Sequence, residues 1–248
     1  MNPSTICLSL LALIVFVGGC DSKSDQHSQA DQTAAENFSE FGKKSTERIA
    51  DQIETEGAYF PESTDDIDEY VEMVEDASKN VSPELAAQLK SQASIMKELQ
   101  VLMNPYLEIN NTFYDLGGVD AATLSTPEDI ENRVGMIKRL IEINDQIDVR
   151  FPILFNQIAG SDTPEGKQQL AVAKQMRALD REAYPHMIES LLIVKEYWAT
   201  SGNANDGKFY FGDDVPADAI EAYNNHLAAI EAVGLKQMEI QRQHYNVP

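Results

Sequence analysis

Two carboxylates and one imidazole at helical spacing are the residues best suited to chemistry. Glu182, His186 and Glu189 lie at positions i, i+4 and i+7, which places them on one face of a helix. This set suits a divalent metal, or a base held between two acids. The alternative is a surface histidine with helical ion-pair neighbours, each pair contributing roughly 0.2–0.5 kcal/mol. The sequence has no Glu-x-x-His repeated on two helices, so it does not predict a di-iron site.

His186-Met187-Ile188-Glu189 resembles the His-x-x-Glu motif of imelysin-like envelope proteins, which are helical and often lipid-anchored. The resemblance implies a metal-binding role for His186 and Glu189. The chain departs from the family pattern two positions before the histidine, where Tyr184 replaces the family's glycine.

A second candidate is an acidic segment with eight carboxylates within fifteen residues. Such a segment collects Ca²⁺ loosely, but a tight calcium loop needs the Asp-x-Asp-x-Asp-Gly turn, which the sequence lacks. The segment therefore predicts a solvated helix face. Its carboxylates are Glu62, Asp65, Asp66, Asp68, Glu69, Glu72, Glu75 and Asp76.

The third candidate is the loop of residues 201–215, because long loops in compact domains are often functional. Its residues Asn203, Asn205, Asp206 and Gly207 faintly suggest a calcium loop, but the glycine is out of register with the acidic positions. The aromatic residues Phe209, Tyr210 and Phe211 favour attachment of the loop to the rest of the domain, with a docking patch for a partner as the alternative.

The N-terminal sequence indicates export. Its apolar run from Ile6 to Val17 is too short to span a bilayer, which takes about 20 apolar residues. The segment Val17-Gly18-Gly19-Cys20 resembles the lipobox of bacterial lipoproteins, although Lys and Arg are missing from the first five residues. The resemblance implies that Cys20 becomes the first residue of the mature chain and carries a diacylglycerol. An uncleaved N-terminal anchor helix is the alternative.

A lipid anchor of two or three acyl chains is effectively permanent, because each buried CH₂ contributes about 0.8 kcal/mol. We therefore divide the chain into a signal peptide (1–19), the lipidated cysteine with a disordered tether (20–37) and a helical domain (38–248). Asp21 resembles the inner-membrane retention signal of enteric bacteria, and the choice between inner and outer membrane stays open. The expected location is the cell envelope, facing the periplasm or the exterior.

Composition limits the partners. The chain carries 41 acidic and 19 basic residues, a net charge of -22, which argues against nucleic acid and anionic lipid surfaces. Cys7 leaves with the signal peptide and Cys20 is consumed by lipidation, so the domain offers no thiolate ligand and no disulfide. The expected partners are the membrane, through Cys20, and an envelope protein.

Three predicted helices begin with the same sequence motif. In Ser82-Pro83-Glu84, Thr126-Pro127-Glu128 and Thr163-Pro164-Glu165, a hydroxyl at the N-cap precedes a proline at the first helical position and a carboxylate in the first turn. Further helices are predicted from Phe38 to about Glu56, from about Asp65 to Lys79 and after Asp214-Val215-Pro216. Interior prolines at Pro105, Pro152 and Pro185 predict kinks or helix ends.

Apolar residues at helical spacing predict the core and the fold class, an all-α kinked helical bundle of about five to six helices. The predicted stripes are Ile130, Val134, Ile137, Ile141 and Ile147; Val172, Met176, Leu179, Ala183, Met187, Leu191, Val194 and Trp198; and Ile220, Tyr223, Leu227 and Ile230. His226 and His244 are predicted to lie isolated on polar helix faces.

Two functions remain open from the sequence. The first is a non-enzymatic, lipid-anchored binding or scaffold module, favoured because the phosphate-binding, nucleophile-elbow, haem and zinc motifs are missing from the sequence. The second is a metal-binding, imelysin-like envelope protein that uses His186 and Glu189 to hold a divalent metal.

Overall fold

Six α-helices make up most of the structure, a computed structural model that describes residues 29–59, 63–158, 161–203 and 209–247. The helices are α1 (Gln29–Glu56), α2 (Asp65–Ala77), α3 (Pro83–Asp115), α4 (Pro127–Phe155), α5 (Pro164–Glu196) and α6 (Ala217–Tyr245). Two short strands, β1 (Gly202–Asn203) and β2 (Phe209–Tyr210), pair antiparallel between α5 and α6. The predicted all-α bundle is confirmed.

The three hydroxyl-proline-carboxylate starts are confirmed to the residue. In each, the hydroxyl oxygen accepts a hydrogen bond from the backbone N–H three residues later, which satisfies one donor that the helix itself leaves unpaired. The distances are 3.4 Å from Leu85 to Ser82, 3.2 Å from Asp129 to Thr126 and 3.1 Å from Gly166 to Thr163. At Thr126 the carboxylate of Asp129 also accepts from the backbone N–H, completing a capping box.

The interior prolines do not end their helices. Helix α3 continues ten residues beyond Pro105 and α5 continues eleven beyond Pro185, whereas α4 ends three residues after Pro152. Each interior proline lacks the N–H that would donate to the carbonyl four residues earlier. The packing of these helices against their neighbours stabilises them enough to continue despite that lost hydrogen bond.

Helix α1 begins earlier than the sequence predicts. Residues 29–37, assigned to the disordered tether, are helical, and the predicted domain start at Phe38 falls inside α1. A tertiary contact accounts for the difference, because the carboxylate of Asp31 accepts a 2.8 Å hydrogen bond from the backbone N–H of Ser82. Ala34 is buried as well. Residues 1–28, including the predicted signal peptide and Cys20, lie outside the described residues.

Consecutive helices run antiparallel. Gln92, early in α3, donates a 3.3 Å hydrogen bond to the backbone oxygen of Gln157, just after α4. Lys195, at the end of α5, pairs at 2.6 Å with Glu131, near the start of α4. Helix α5 packs between α4 and α6, and α1 packs against α6. The α5 helix therefore has a long neighbour on each side.

The predicted apolar stripes line the core. Six of their residues are fully buried with an exposed fraction of 0%, namely Ile130, Ile137, Ile147, Ala183, Leu191 and Val194. The prediction for α2 is also confirmed, since Ile67, Val71 and Val74 are buried. Among the described residues, no helix is both long and apolar enough to cross a membrane.

A buried arginine organises the connection between α3 and α4. Arg133, 3% exposed, donates to the backbone oxygens of Leu116 and Gly118 and to the hydroxyl of Thr123. Its guanidinium thus satisfies carbonyls beyond the end of α3, and burial lowers its pKa. Gly117 has a φ of +96°, and a Cβ there would lie 2.3 Å from the Thr123 hydroxyl, so the turn requires glycine.

We predict that Arg133→Lys destabilises the fold by about 2–4 kcal/mol. The lysine ammonium cannot place N–H donors in all the directions in which the guanidinium does, so some buried carbonyl oxygens would lose their hydrogen bonds. Urea unfolding followed by circular dichroism measures the loss. Arg139→Lys is the control on the same helix, since Arg139 forms an exposed pair with Glu142 and should change stability by less than about 1 kcal/mol. Equal effects of the two substitutions would contradict this role of Arg133.

Two tyrosines with raised pKa values predict that the fold loses stability at alkaline pH. Burial raises the pKa of Tyr59 to about 12, with Asp66 adding to the rise, and burial raises the pKa of Tyr223 to about 12. Because the folded pKa exceeds the usual 10.0, each phenol stabilises the fold fully below pH 10 and loses that contribution as the pH rises to about 12. Urea unfolding between pH 9 and 12 should show a decline that Tyr59→Phe reduces. A decline unchanged by Tyr59→Phe would contradict the assignment.

Candidate functional site

The predicted metal ligands lie on α5, but they do not meet one another. Glu182 pairs at 2.9 Å with Lys236 of α6, and Glu189 is exposed. Among the described residues, no three His, Cys, Asp or Glu side chains are grouped so that they could hold a metal ion. The metal-ligating roles of Glu182 and Glu189 therefore stay predictions.

The structure places another histidine against His186. The Nδ1 atoms of His186 and His226 are 2.9 Å apart, with ring centroids 5.2 Å apart and ring planes at 47°. The interpretation of His226 as an isolated residue was therefore wrong. A signal was present in the sequence, because each histidine is three residues after a member of a predicted apolar stripe, Ala183 or Tyr223.

The acidic segment forms the solvent side of α2, and several of its carboxylates are paired. Asp66 pairs with Arg48 of α1, and Asp76 pairs at 2.6 Å with Lys79. Asp68 accepts a 2.9 Å hydrogen bond from Gln100 of α3. These partners come from separate elements, so the segment serves as a charged outer face with links to its neighbours. Glu62 lies outside the described residues.

Aromatic packing attaches the loop between α5 and α6 to the bundle, as the sequence favoured. The ring centroids of Phe209 and Phe211 are 5.1 Å apart, and Phe211 contacts Tyr223 of α6 at 5.2 Å. Tyr210, between these two phenylalanines in the sequence, is 49% exposed. Asn205, Asp206 and Gly207 lie outside the described residues.

A surface pocket between α4 and α5 combines an apolar floor with charged walls. Its volume is about 270 Å³. The apolar part consists of Ile147, Phe151, Pro152 and Ala178, and the charged part consists of Asp148, Lys174, Arg177 and Arg181. Pro152 has no N–H to donate to the carbonyl of Asp148, four residues earlier, so the α4 backbone is interrupted at the pocket wall.

Arg177 is one of the residues that line this pocket, is 4% exposed, and joins α5 to α4. Its Nε donates to the carboxylate of Asp148 and its Nη1 donates to the side-chain oxygen of Asn144 at 2.7 Å. Asn144 in turn donates to the hydroxyl of Tyr184 at 2.5 Å, and that hydroxyl lies 3.3 Å from the hydroxyl of Tyr106 in α3. The network therefore connects three helices.

The pocket holds more positive than negative charge. Asp148 is shared by two guanidiniums, since Arg181 also contacts it at 2.5 Å. Arg181 has a second partner, Asp145, at 2.6 Å. Lys174 adds an ammonium that pairs with no carboxylate among the described residues. Three cations and one carboxylate thus line the pocket, and Asp145 pairs with Arg181 without being part of the lining, in a chain whose net charge is -22.

A larger groove of about 690 Å³ lies between the first turns of α1 and the end of α2. Its lining combines uncharged polar residues such as Thr33 and Asn37 with apolar residues such as Phe38, and among the described residues Asp76 is the single charged one. Because its described lining has one charged side chain and the α4–α5 pocket has four, the groove offers less for recognition of a charged ligand.

Comparison of the chain with protein families, curated proteins and solved structures found no match to any of them. The site must therefore be interpreted from its own chemistry.

Proposed function

We propose that the chain is a lipid-anchored cell-envelope protein whose helical bundle is a non-enzymatic binding module for a small organic anion. The lipobox-like segment Val17-Gly18-Gly19-Cys20 supports the lipid anchor. The α4–α5 pocket supports the binding role. The observation that carries it is the sharing of Asp148 between Arg177 and Arg181, with Lys174 beside them.

The start of α1 at Gln29 keeps the domain close to the membrane under this proposal. Nine residue steps separate Cys20 from Gln29. A fully extended chain of that length reaches only about 30 Å. The bundle would then lie within roughly its own diameter of the lipid headgroups, where it meets small molecules that diffuse along or across the envelope.

The pocket's chemistry defines the ligand class. A carboxylate suits the guanidinium of Arg181 and the ammonium of Lys174, because charge-assisted hydrogen bonds to carboxylates are short and strong. The floor, formed by side chains such as Ile147 and Phe151, favours an apolar body on that carboxylate. An amine of the same shape would be repelled by the three cations. The expected ligand is therefore a small carboxylic acid with an aliphatic or aromatic part.

For the anchor, we predict that Cys20→Ser abolishes both lipid attachment and membrane association, because the serine hydroxyl cannot form the thioether. Incorporation of radiolabelled palmitate and fractionation of cell membranes measure the two properties. Cys7→Ser is the control, since Cys7 precedes the expected cleavage site, and should retain both. Continued membrane association of unlabelled Cys20→Ser protein would instead support an uncleaved anchor helix.

For the pocket, we predict that the purified full chain binds hexanoate or phenylacetate more tightly than hexylamine, and that salt weakens the binding by screening the exposed charges. Lys174→Gln should weaken binding about two- to fivefold, as expected for one exposed charge contributing up to about 1 kcal/mol. Lys174→Glu should weaken it further by reversing the charge. Calorimetric titration measures the dissociation constants.

Lys138→Gln is the matched control, because Lys138 is an exposed lysine of α4 that does not line the pocket. It should leave binding unchanged. Arg177→Ala is unsuitable as a test, since it would strand Asp148 and Asn144 and threaten the fold. Equal binding of hexanoate and hexylamine, or equal effects of the two lysine substitutions, would contradict the anion pocket and favour a scaffold that acts through its surface.

A further inference from the structure

The contact between His186 and His226 is the second place where chemically active side chains converge. Both imidazoles are half-buried, and they come from the facing helices α5 and α6. The contact lies away from the anion pocket, because neither histidine lines it. A ligand held by the two histidines would therefore not depend on the proposed anion binding.

The short Nδ1–Nδ1 distance restricts the protonation states. At 2.9 Å, one Nδ1 donates its proton to the lone pair of the other, so the pair holds one proton between two nitrogens. In that arrangement the Nδ1 lone pair of one ring is aimed at the Nδ1 atom of the other. If both rings carry their proton on Nε2 instead, two lone pairs face the same small region, which is the arrangement that a metal ion needs.

The separation of the two nitrogens is also short enough for both to bind one metal ion. With metal–nitrogen bonds of about 2.05 Å, two ligands at 90° are about 2.9 Å apart, whereas two ligands at the tetrahedral angle are about 3.3 Å apart. The observed 2.9 Å, which is also the length of an N–H···N hydrogen bond, is close to the separation of neighbouring ligands at 90°, as in square-planar and octahedral sites. Square-planar or tetragonal sites with nitrogen and oxygen ligands are typical of Cu²⁺ and Ni²⁺.

We propose that His186 and His226 form a two-histidine site for a transition-metal cation with tetragonal preference, the class of Cu²⁺ and Ni²⁺. The two imidazoles occupy adjacent equatorial positions, and water fills the others. Each ring rotates so that its Nδ1 lone pair points to the metal, and the one proton held between the two Nδ1 atoms moves to Nε2 of the ring that carried it, so the two neutral imidazoles release no net proton on binding. Imidazole ligands suit this class of metal, and Cu²⁺ binds most strongly within the divalent series.

The proposed two-histidine site does not use a carboxylate as a metal ligand. Glu182 is held by Lys236, and the described residues supply no third side-chain ligand in range. Glu189 lies on α5 one turn beyond His186. Its side chain would have to turn towards the histidines to bind the same metal ion. The two-histidine site is therefore distinguished from a His186–Glu189 site by which substitution removes the metal.

The test uses the purified full chain after treatment with EDTA. Cu²⁺ and Ni²⁺ should raise the melting temperature, by about 5–10 °C at a hundredfold excess over the dissociation constant, and Mg²⁺ should not. Electron paramagnetic resonance of the Cu²⁺-loaded protein should show two equatorial nitrogen ligands from imidazole. This spectrum tests the site in the unsubstituted chain, whatever the folding of the variants.

Substitutions identify the ligands. His186→Asn and His226→Asn should each weaken Cu²⁺ binding at least about tenfold, because a single imidazole loses the chelate. Glu189→Gln and His27→Asn should each change it less than about twofold, with circular dichroism confirming that every variant is folded. The proposal is overturned if His226→Asn binds Cu²⁺ as the parent does, if Glu189→Gln alone removes binding, or if the spectrum shows fewer than two nitrogen ligands.

Discussion

The buried guanidinium of Arg177 is the constraint on which the arrangement of α5 depends. A charge in the interior must be paired and hydrogen-bonded, and Arg177 finds Asp148 and both oxygens of Asn144 on α4. Such a pair adds little net stability, but breaking it typically costs about 3–5 kcal/mol, because one charge is then stranded. Any shift of α5 along α4 would separate these groups. The network therefore fixes the register of the two helices.

That register determines where both candidate sites form. Nine residues separate Arg177 from His186 on α5. Nine residues correspond to two and a half helical turns and a rise of about 13.5 Å, so the two side chains leave the helix on opposite faces. Arg177 meets α4 and His186 meets α6. One helix thus lines the proposed anion pocket with one neighbour and forms the histidine pair with the other.

The sequence was most informative where structure is decided by near neighbours. The N-caps Ser82, Thr126 and Thr163 were identified correctly because capping involves only residues within one turn. The early start of α1 was missed because it depends on Asp31 meeting Ser82, 51 residues away. The histidine pair was missed for the same reason, since periodicity places a residue on a face without saying which residue opposes it.

The two sites on α5 are thermodynamically separate unless α5 itself moves. Metal bound between His186 and His226 would tie α5 to α6, whereas an anion in the pocket would add a partner to Arg181 and Lys174 on the side of α4. If the metal shifted α5 by even a fraction of an ångström, the charges around Asp148 would rearrange and the affinity for the anion would change. The anion would then change the affinity for the metal by the same factor, because coupling free energies are reciprocal. If the Arg177 network holds α5 rigid, that factor is one, and the proposed anion and metal sites would bind their ligands independently of each other.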